Sequence, residues 1–321
     1  MKTESQTKTS QLKRNHWFEK LHADAVLPAT LYGGKASQLA ELMRLGAQVP
    51  PGIALHAEFF EDLARVCGIG DALEALRLEP SLERITDTAR QLIVDADDDI
   101  AYFEPLFEAL DSVPKPWIVR SSAIGEDGEQ GSFAGQLESI GGVTTQAGLV
   151  EALKTCWASR WSTRVLSYER ALKRELQGVG VVVQSEISSK VAGVVFTRSP
   201  LSFDSLMIEY CDGPGERLVS GEVNPVRVSI ERQGARFEVQ ERGDIPECLE
   251  PSEEAELVSL LQREALSLEA RREEPLDLEW VMDENHDLYF VQMRPITVLK
   301  AQDDSRVGAR VVWSNANMNE N

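Results

Sequence analysis

The stretch DLEWVMDENHDLYFVQMRPIT, Asp277–Thr297, reads as two alternating runs on either side of a turn. Side chains in a strand alternate between faces, and the loop sets which residues stand opposite one another. With Glu284–Asp287 as the loop, Asp283 pairs with Leu288, Val281 with Phe290, Glu279 with Gln292 and Asp277 with Arg294, all on one face. The other face carries Leu278, Trp280, Met282, Tyr289, Val291 and Met293, apolar enough to lie on a core. One side is therefore scaffold, while the other gathers two carboxylates, an amide and a guanidinium. Two readings fit these residues. One is a solvated hairpin with an Asp277–Arg294 cross-strand ion pair, contributing about 0.2–1 kcal/mol. The other is a site for a phosphate-bound hard cation, with oxygens from Glu279 and Gln292 and a forked donor from Arg294.

The rest of the chain bounds the choice. At 321 residues it exceeds the usual single domain, which predicts two lobes and a sizeable core. Its 33 basic against 53 acidic residues give a net charge of -20. That balance argues against non-specific binding to nucleic acid or to an anionic membrane, and any anionic ligand needs a local basic pocket. Cys67, Cys156, Cys211 and Cys248 are scattered without metal-ligand spacing and read as reduced, mostly buried thiols of a cytoplasmic protein. No apolar leader opens the chain and no apolar run is long enough to span a bilayer.

Along the chain, residues 1–19 read as a disordered polar tail, 20–178 as an N-terminal lobe, 179–300 as a C-terminal lobe and 301–321 as a linker. A helix follows Gly33-Gly34 and stops at Gly46, and helical spacing continues to about Leu110. WIVR at Trp117 predicts a strand, and Leu149–Leu176 one long helix. GVGVVVQSEI and VAGVVFTRSP, joined by SSK, predict a second hairpin. Ser252 is the expected cap of a helix ending near Arg271. WSNANMNEN closes no element, so the sequence reads as a fragment of something longer.

Three further segments suit phosphate or nucleotide chemistry, each beside a plainer structural reading. YGGKASQL, Tyr32–Leu39, sets two glycines and Lys35 at a helix start, as a phosphate cradle or as a simple capping turn. It is not a Walker A loop, which needs glycine at Ala29 and a hydroxyl at Ala36. WIVRSSAIGEDGEQGSFAGQLES, Trp117–Ser139, delivers Arg120 and two serines to a glycine-rich loop. That loop either folds over an anion or is surface loop only, and its interior acids leave Arg120 and the SFAG end to make any contact. VVVQSEI, Val181–Ile187, is a strand buried on both faces that turns polar at its end, either a core strand meeting a turn or the rim of an adenine slot.

In this order the segments resemble the ATP-binding N-terminal domain of the pyruvate phosphate dikinase, phosphoenolpyruvate synthase and rifampin phosphotransferase family. The resemblance covers about Leu31–Thr297 and is carried by GGKASQLAELMRLGAQVPPG, VRSSAIGEDGEQGSFAGQ, GVVFTRSP, ERLVSGEVNP and the opening hairpin. It implies an α+β ATP-grasp fold, two lobes clamping Mg-ATP. It further implies that Lys35, Arg120 and Arg294 contact phosphates, that Gly135 lies in the loop closing over them, and that Gln184, Glu186 and Ile187 contact adenine. The resemblance also implies that Glu279 and Gln292 ligate Mg2+ and that Asp277 supports the cluster. In the family this domain passes the β-phosphate of ATP to a histidine on a separate swivelling domain, releasing AMP and phosphate, and an acceptor-binding domain uses it on a small molecule. None of His16, His22, His56 and His286 sits in the glycine- and serine-rich setting of that histidine. Two further departures are CDGPGE at Cys211–Glu216, in place of a plainer glycine-rich turn, and Val226, where an acid is expected. Activation of a carboxylate or carbonyl as its phosphate by a condensing enzyme, and a nucleotide-binding module without turnover, stand as alternatives.

Overall fold

A computed structural model describes residues 17–96, 100–125, 127–128, 131–132, 137–173, 175–199, 204–219, 221–232, 237–242 and 249–296. The chain forms two compact units, one of residues up to Ala40 with Pro51–Glu186, the other of Glu41–Pro50 with the chain from Ile187 on.

The first unit is built on strands β1 (Phe18–Lys20), β2 (Gly52–Leu55), β3 (Trp117–Ala123), β6 (Ser139–Val143) and β7 (Val179–Ser185). The short β4 (Asp127–Gly128) and β5 (Gly131–Ser132) pair only with each other. The five-stranded sheet runs β1-β2-β7-β3-β6, every pair antiparallel. β7 lies at its centre and all seven of its residues are buried, as the run of β-branched side chains demands. Helices α1 (Ala29–Tyr32), α2 (Gly34–Arg44), α3 (Glu58–Val66), α4 (Gly70–Leu76), α5 (Leu82–Val94), α6 (Glu104–Leu110), α7 (Gln146–Ser159) and α8 (Thr163–Leu172) belong to this unit, with α2 ending in the second unit. Phe59, Leu106, Leu153 and Trp157 pack with Val119, Val181 and Val183 in the main core. Burying each such large side chain stabilises the fold by about 1.5–3 kcal/mol. Along α5, Ile85, Ala89 and Ile93 recur every four residues and form a smaller core with Trp161 and Leu166.

Four sequence expectations change in this unit. Trp17 and Phe18 pack on the main core and Phe18–Lys20 is a strand, so the end of the expected 1–19 tail belongs to the fold. The helix expected over 149–176 is two helices, because Ser162 turns extended and its Oγ accepts the Val165 N–H at 3.3 Å, starting α8 afresh. A buried pair holds the break: Arg160 Nη2 lies 2.8 Å from Glu169 Oε1, which also accepts the Leu176 N–H at 2.6 Å. The second expected hairpin does not form. β7 pairs with β2 and β3 here, whereas the strand after SSK pairs in the other unit's sheet. With both edges of β7 paired in the first sheet, the boundary expected at 178/179 falls at Glu186/Ile187.

The second unit is an antiparallel sheet of β8 (Ser189–Phe196), β9 (Ser205–Asp212), β10 (Val226–Glu231), β11 (Phe237–Arg242), β12 (Leu276–Asp283) and β13 (Leu288–Pro295), in the order β11-β10-β9-β8-β12-β13. Among the described residues, besides the short α9 (Glu216–Val219), it has one long helix, α10 (Pro251–Arg272), packed on β12 through a buried stripe that includes Leu257, Leu261, Ala265 and Leu268. The expected cap at Ser252 is replaced by a capping box of Glu250 and Glu253 with Pro251 in the first turn, two residues earlier. Segment Glu41–Pro50 is stitched to this unit: Arg272 Nη1 lies 3.1 Å from Glu41, Arg271 donates to the Leu45 carbonyl, and the Phe290 N–H donates to the Gln48 carbonyl at 2.8 Å. Val226, where an acid is expected, is fully buried in β10 opposite Tyr210, a position that suits an apolar side chain. Among the described residues no helix is long and apolar enough to cross a membrane. The tail from 301, Cys248 and His16 lie outside the described residues.

Candidate functional site

In the second unit, Glu279 stands opposite Gln292 and Asp277 opposite Arg294, as the alternation predicts. Nearer the tip the register differs: Trp280 pairs with Phe290, Val281 with Tyr289 and Met282 with Leu288. The loop is one residue tighter than expected. Asp283 Oδ1 accepts the N–H groups of Asn285 and Asp287 at 2.9 Å each, and His286 adopts a left-handed φ of 66°. The extra residue is absorbed by a bulge at Val291, so Leu288 and Phe290 are buried with Trp280 and Met282 while the pairs Glu279–Gln292 and Asp277–Arg294 keep their alignment.

One row of partners crosses the sheet: Gln292, Glu279, Val194, Glu209 and Arg227. Arg294 reaches diagonally, its Nη1 3.9 Å from Glu279 Oε1, in place of the expected pairing with Asp277. Arg227 Nε holds Glu209 Oε1 at 2.7 Å. Gln292 is 4% exposed. Asp277 Oδ1 is buried without a hydrogen-bond partner among the described residues. Burial pushes the Asp277 carboxyl up to about 7; Arg294 opposes this, and the charges of Glu279 and Glu209 add to it. The face thus gathers three acidic side chains, Asp277, Glu279 and Glu209, with two arginines beside them.

No group of three or more histidine, cysteine or acidic side chains that could hold a metal occurs among the described residues. Magnesium keeps several waters and leans on substrate phosphates, so a carboxylate with an amide beside a buried, unpartnered carboxylate oxygen fits it without an all-protein cage.

In the first unit, Gly33 has φ 82°, and a Cβ there would lie 1.9 Å from the Ser122 carbonyl oxygen. Only glycine fits this approach, which lets Ser122 Oγ accept the Ala36 N–H at 3.1 Å. One first-turn donor of α2 is therefore taken by the protein rather than left for a phosphate. Lys35 precedes it on the same turn. Arg120 stands opposite Val182, and Ile118 opposite Gln184. By strand alternation Arg120, Ser122 and Gln184 share one face, the face that Ser122 ties to the start of α2. Gln184 is 1% exposed and lies over Gly52, where a Cβ would come within 2.7 Å of its Cγ.

Glu186 donates its N–H to the Pro116 carbonyl at 2.9 Å, and its Oε2 accepts the Gly142 N–H at 2.6 Å. Ile187 opens the second unit and is half-buried. Gly135 lies outside the described residues. The CDGPGE segment turns at Gly213, φ 68°, and lays Gly215 close over Ala192, where a Cβ would sit 3.5 Å from the alanine methyl. Sequence reasoning missed Glu209, Arg227 and the Gly141–Gly142 partner of Glu186. The first had a signal, since Glu209 interrupts the apolar strand SLMIEYCD at an alternate position. The glycine partner had none, because its contact to Glu186 spans 44 positions. His22 lies beside Glu19, His56 Nδ1 accepts the Glu58 N–H, and His286 lies 3.4 Å from Glu253 and 3.3 Å from Lys190.

Among curated proteins, the chain is 28% identical over 88% of its length to "Phosphoenolpyruvate synthase" of Aeropyrum pernix, covering 42% of that protein. It is 27% identical over 86% of its length to "Prodigiosin synthesizing transferase PigC" of Serratia marcescens, covering 33% of it. The chain thus spans less than half the length of these relatives. Among solved structures it is similar to a D-alanine-D-alanine ligase from Helicobacter pylori, at 12% identity and TM-score 0.38 over 84% of this chain and 55% of that one, a likeness too loose to carry an argument. Residues 29–311 match the family model described as "Pyruvate phosphate dikinase, AMP/ATP-binding domain". The chain, a protein of α-helices and antiparallel β-sheets, belongs to that family.

Proposed function

We propose that this chain is the ATP-binding part of a dikinase-like phosphotransferase, passing the β-phosphate of Mg-ATP to a histidine on a separate swivelling domain and releasing AMP and phosphate. The observation that carries the reading is the polar row of the β12–β13 hairpin, where Glu279, Gln292 and Arg294 gather beside a buried Asp277 oxygen that has no hydrogen-bond partner among the described residues. Glu279 and Gln292 suit Mg2+, which when bound neutralises charge on the triphosphate oxygens. Arg294 presents a guanidinium to phosphate, and Asp277 supports the cluster. In the first unit, Lys35 and Arg120 add positive charge for phosphates, and the Gln184–Glu186 strand end suits the nucleobase. Phosphoryl transfer asks a protein mainly for such positioning and charge neutralisation. The acceptor histidine and the small-molecule acceptor belong to partner domains, since the chain's described histidines are engaged in local contacts.

The test is a calorimetric titration with ATP, with and without magnesium, of the wild type beside Glu279→Ala and Arg294→Ala. Magnesium-dependent binding lost in both variants is expected; unchanged affinity in both would falsify the assignment. A second reading is a condensing enzyme that activates a carboxylate or carbonyl as its phosphate. With acceptor domains supplied, AMP plus phosphate marks the histidine relay and ADP plus phosphate the acyl phosphate.

A further inference from the structure

We infer that the segment Glu41–Pro50, clamped by Arg271 and Arg272, is a brace that holds the bulge of β13 at Val291 and so keeps the Gln292 amide opposite Glu279. The cation role of that pair rests on the reading of the preceding subsection. To it the brace adds three positioning residues, Gly46, Arg271 and Arg272, which act only through β13.

Among the described residues, β13 is an edge strand of its sheet, paired with β12. One side of an edge strand has no ladder to hold its register. In β13 the register matters at one place. Trp280 pairs with Phe290 but Glu279 with Gln292, so the extra residue Val291 reverses the alternation: Phe290 lies in the core and Gln292 on the face of Glu279. Were Met293 the extra residue instead, Val291 would stand opposite Glu279 and Gln292 opposite Leu278, with its amide turned to the core face. The position of one bulge thus decides whether Gln292 faces the carboxylate.

The brace meets the strand beside that bulge. The Phe290 N–H, next to Val291 in the chain, donates to the Gln48 carbonyl at 2.8 Å. The Gln48 side chain is exposed, so the contact is made through the backbone and depends on how the segment is held. Arg271, in the last turn of α10, donates to the Leu45 carbonyl at the end of α2, where the helix leaves its own carbonyls unsatisfied. Gly46 makes room for it, since its φ is 87° and a Cβ there would lie 2.5 Å from Arg271 Nη1. Arg272 Nη1 lies 3.1 Å from Glu41 Oε2. Two successive arginines of one helix therefore grip the segment at 41 and 45, and Val49 and Pro50 are buried at its far end. Gln48 sits between these fixed points, and its carbonyl is an anchor for β13.

The experiment measures calorimetric ATP affinity with and without magnesium on the whole chain, for wild type, Arg271→Ala, Arg271→Lys, Gly46→Ala and Arg272→Met. Amide exchange at Phe290 is followed in each, relative to Ile208 in the middle of the same sheet, so that global unfolding cancels. The functional readout is the factor by which magnesium raises affinity, since losses common to both conditions cancel as well. That factor should fall about tenfold in Arg271→Ala, Gly46→Ala and Arg272→Met, as for residues that support a metal ligand from behind, each with faster relative exchange at Phe290. Arg271→Lys, whose ammonium still donates to the Leu45 carbonyl, should keep most of the factor. Faster Phe290 exchange with an unchanged magnesium factor overturns the positioning role. Unchanged relative exchange in Arg271→Ala and Gly46→Ala overturns the brace itself. A wild type whose ATP affinity ignores magnesium overturns the cation reading and the positioning role with it, while the exchange at Phe290 still decides the brace.

Discussion

Asp277 and Arg294 face each other across the β12–β13 ladder, yet the arginine reaches diagonally to Glu279 and leaves Asp277 Oδ1 buried without a hydrogen-bond partner among the described residues. An unsatisfied buried carboxyl oxygen costs stability, a cost that the proposed cation would offset. Asp277→Asn should raise the ligand-free melting temperature, by about 1–3 kcal/mol in stability, while weakening magnesium-dependent ATP binding. Thermal unfolding and calorimetry on the same preparation check this. A variant that loses stability would show that the carboxylate has a structural partner after all.

The Gly33–Ser122 contact ties the start of α2 to β3. Ser122→Ala removes the acceptor of the Ala36 N–H and should cost about 0.5–2 kcal/mol by denaturant titration. Gly33→Ala should cost more, since its Cβ would collide with backbone and its φ of 82° is left-handed. Equal costs for the two would argue against the close approach.

Arg160 and Glu169 form a buried bidentate pair that also holds the Leu176 backbone. Burial pulls the Arg160 guanidinium below its ordinary range, and Glu169 opposes the shift. Arg160→Met leaves the carboxylate buried and unpaired and should cost about 3–5 kcal/mol. In the double variant with Glu169→Met much of that loss should return, which a double-mutant cycle in urea measures.

Thiol reactivity separates two cysteines. Burial pushes the Cys156 thiol up to about 12, against the smaller pull of the Ser121 hydrogen bond. Only the thiolate is nucleophilic, so raising the pKa lowers reactivity at a fixed pH. At pH 8 roughly one molecule in 10,000 carries the Cys156 thiolate. Iodoacetamide followed by peptide mapping should label the partly exposed Cys67 in the folded protein and Cys156 only after unfolding. Comparable native rates would refute the burial.

Much was legible in the order of residues. Period-two alternation gave the pairs Glu279–Gln292 and Asp277–Arg294, and glycine placement gave the start and stop of α2. The β-branched run Val181–Val183 identified a strand buried on both faces. These features are local: a pleat, a cap and a run of stiff side chains declare themselves within a few residues. Long-range partners do not. The sequence paired GVGVVVQSEI with VAGVVFTRSP because they are neighbours along the chain. The sheets separated them because β7 fills the gap between β2 and β3, whereas β8 fills the gap between β9 and β12. The bulge at Val291, the Glu209–Arg227 pair and the Gly142–Glu186 bond likewise depend on which distant strands meet. The sequence by itself determined the start of α2, the buried strand β7 and the polar face of the hairpin; tertiary structure decided the partners of β7 and β8, because their pairing is set by packing across the sheet and not by separation along the chain.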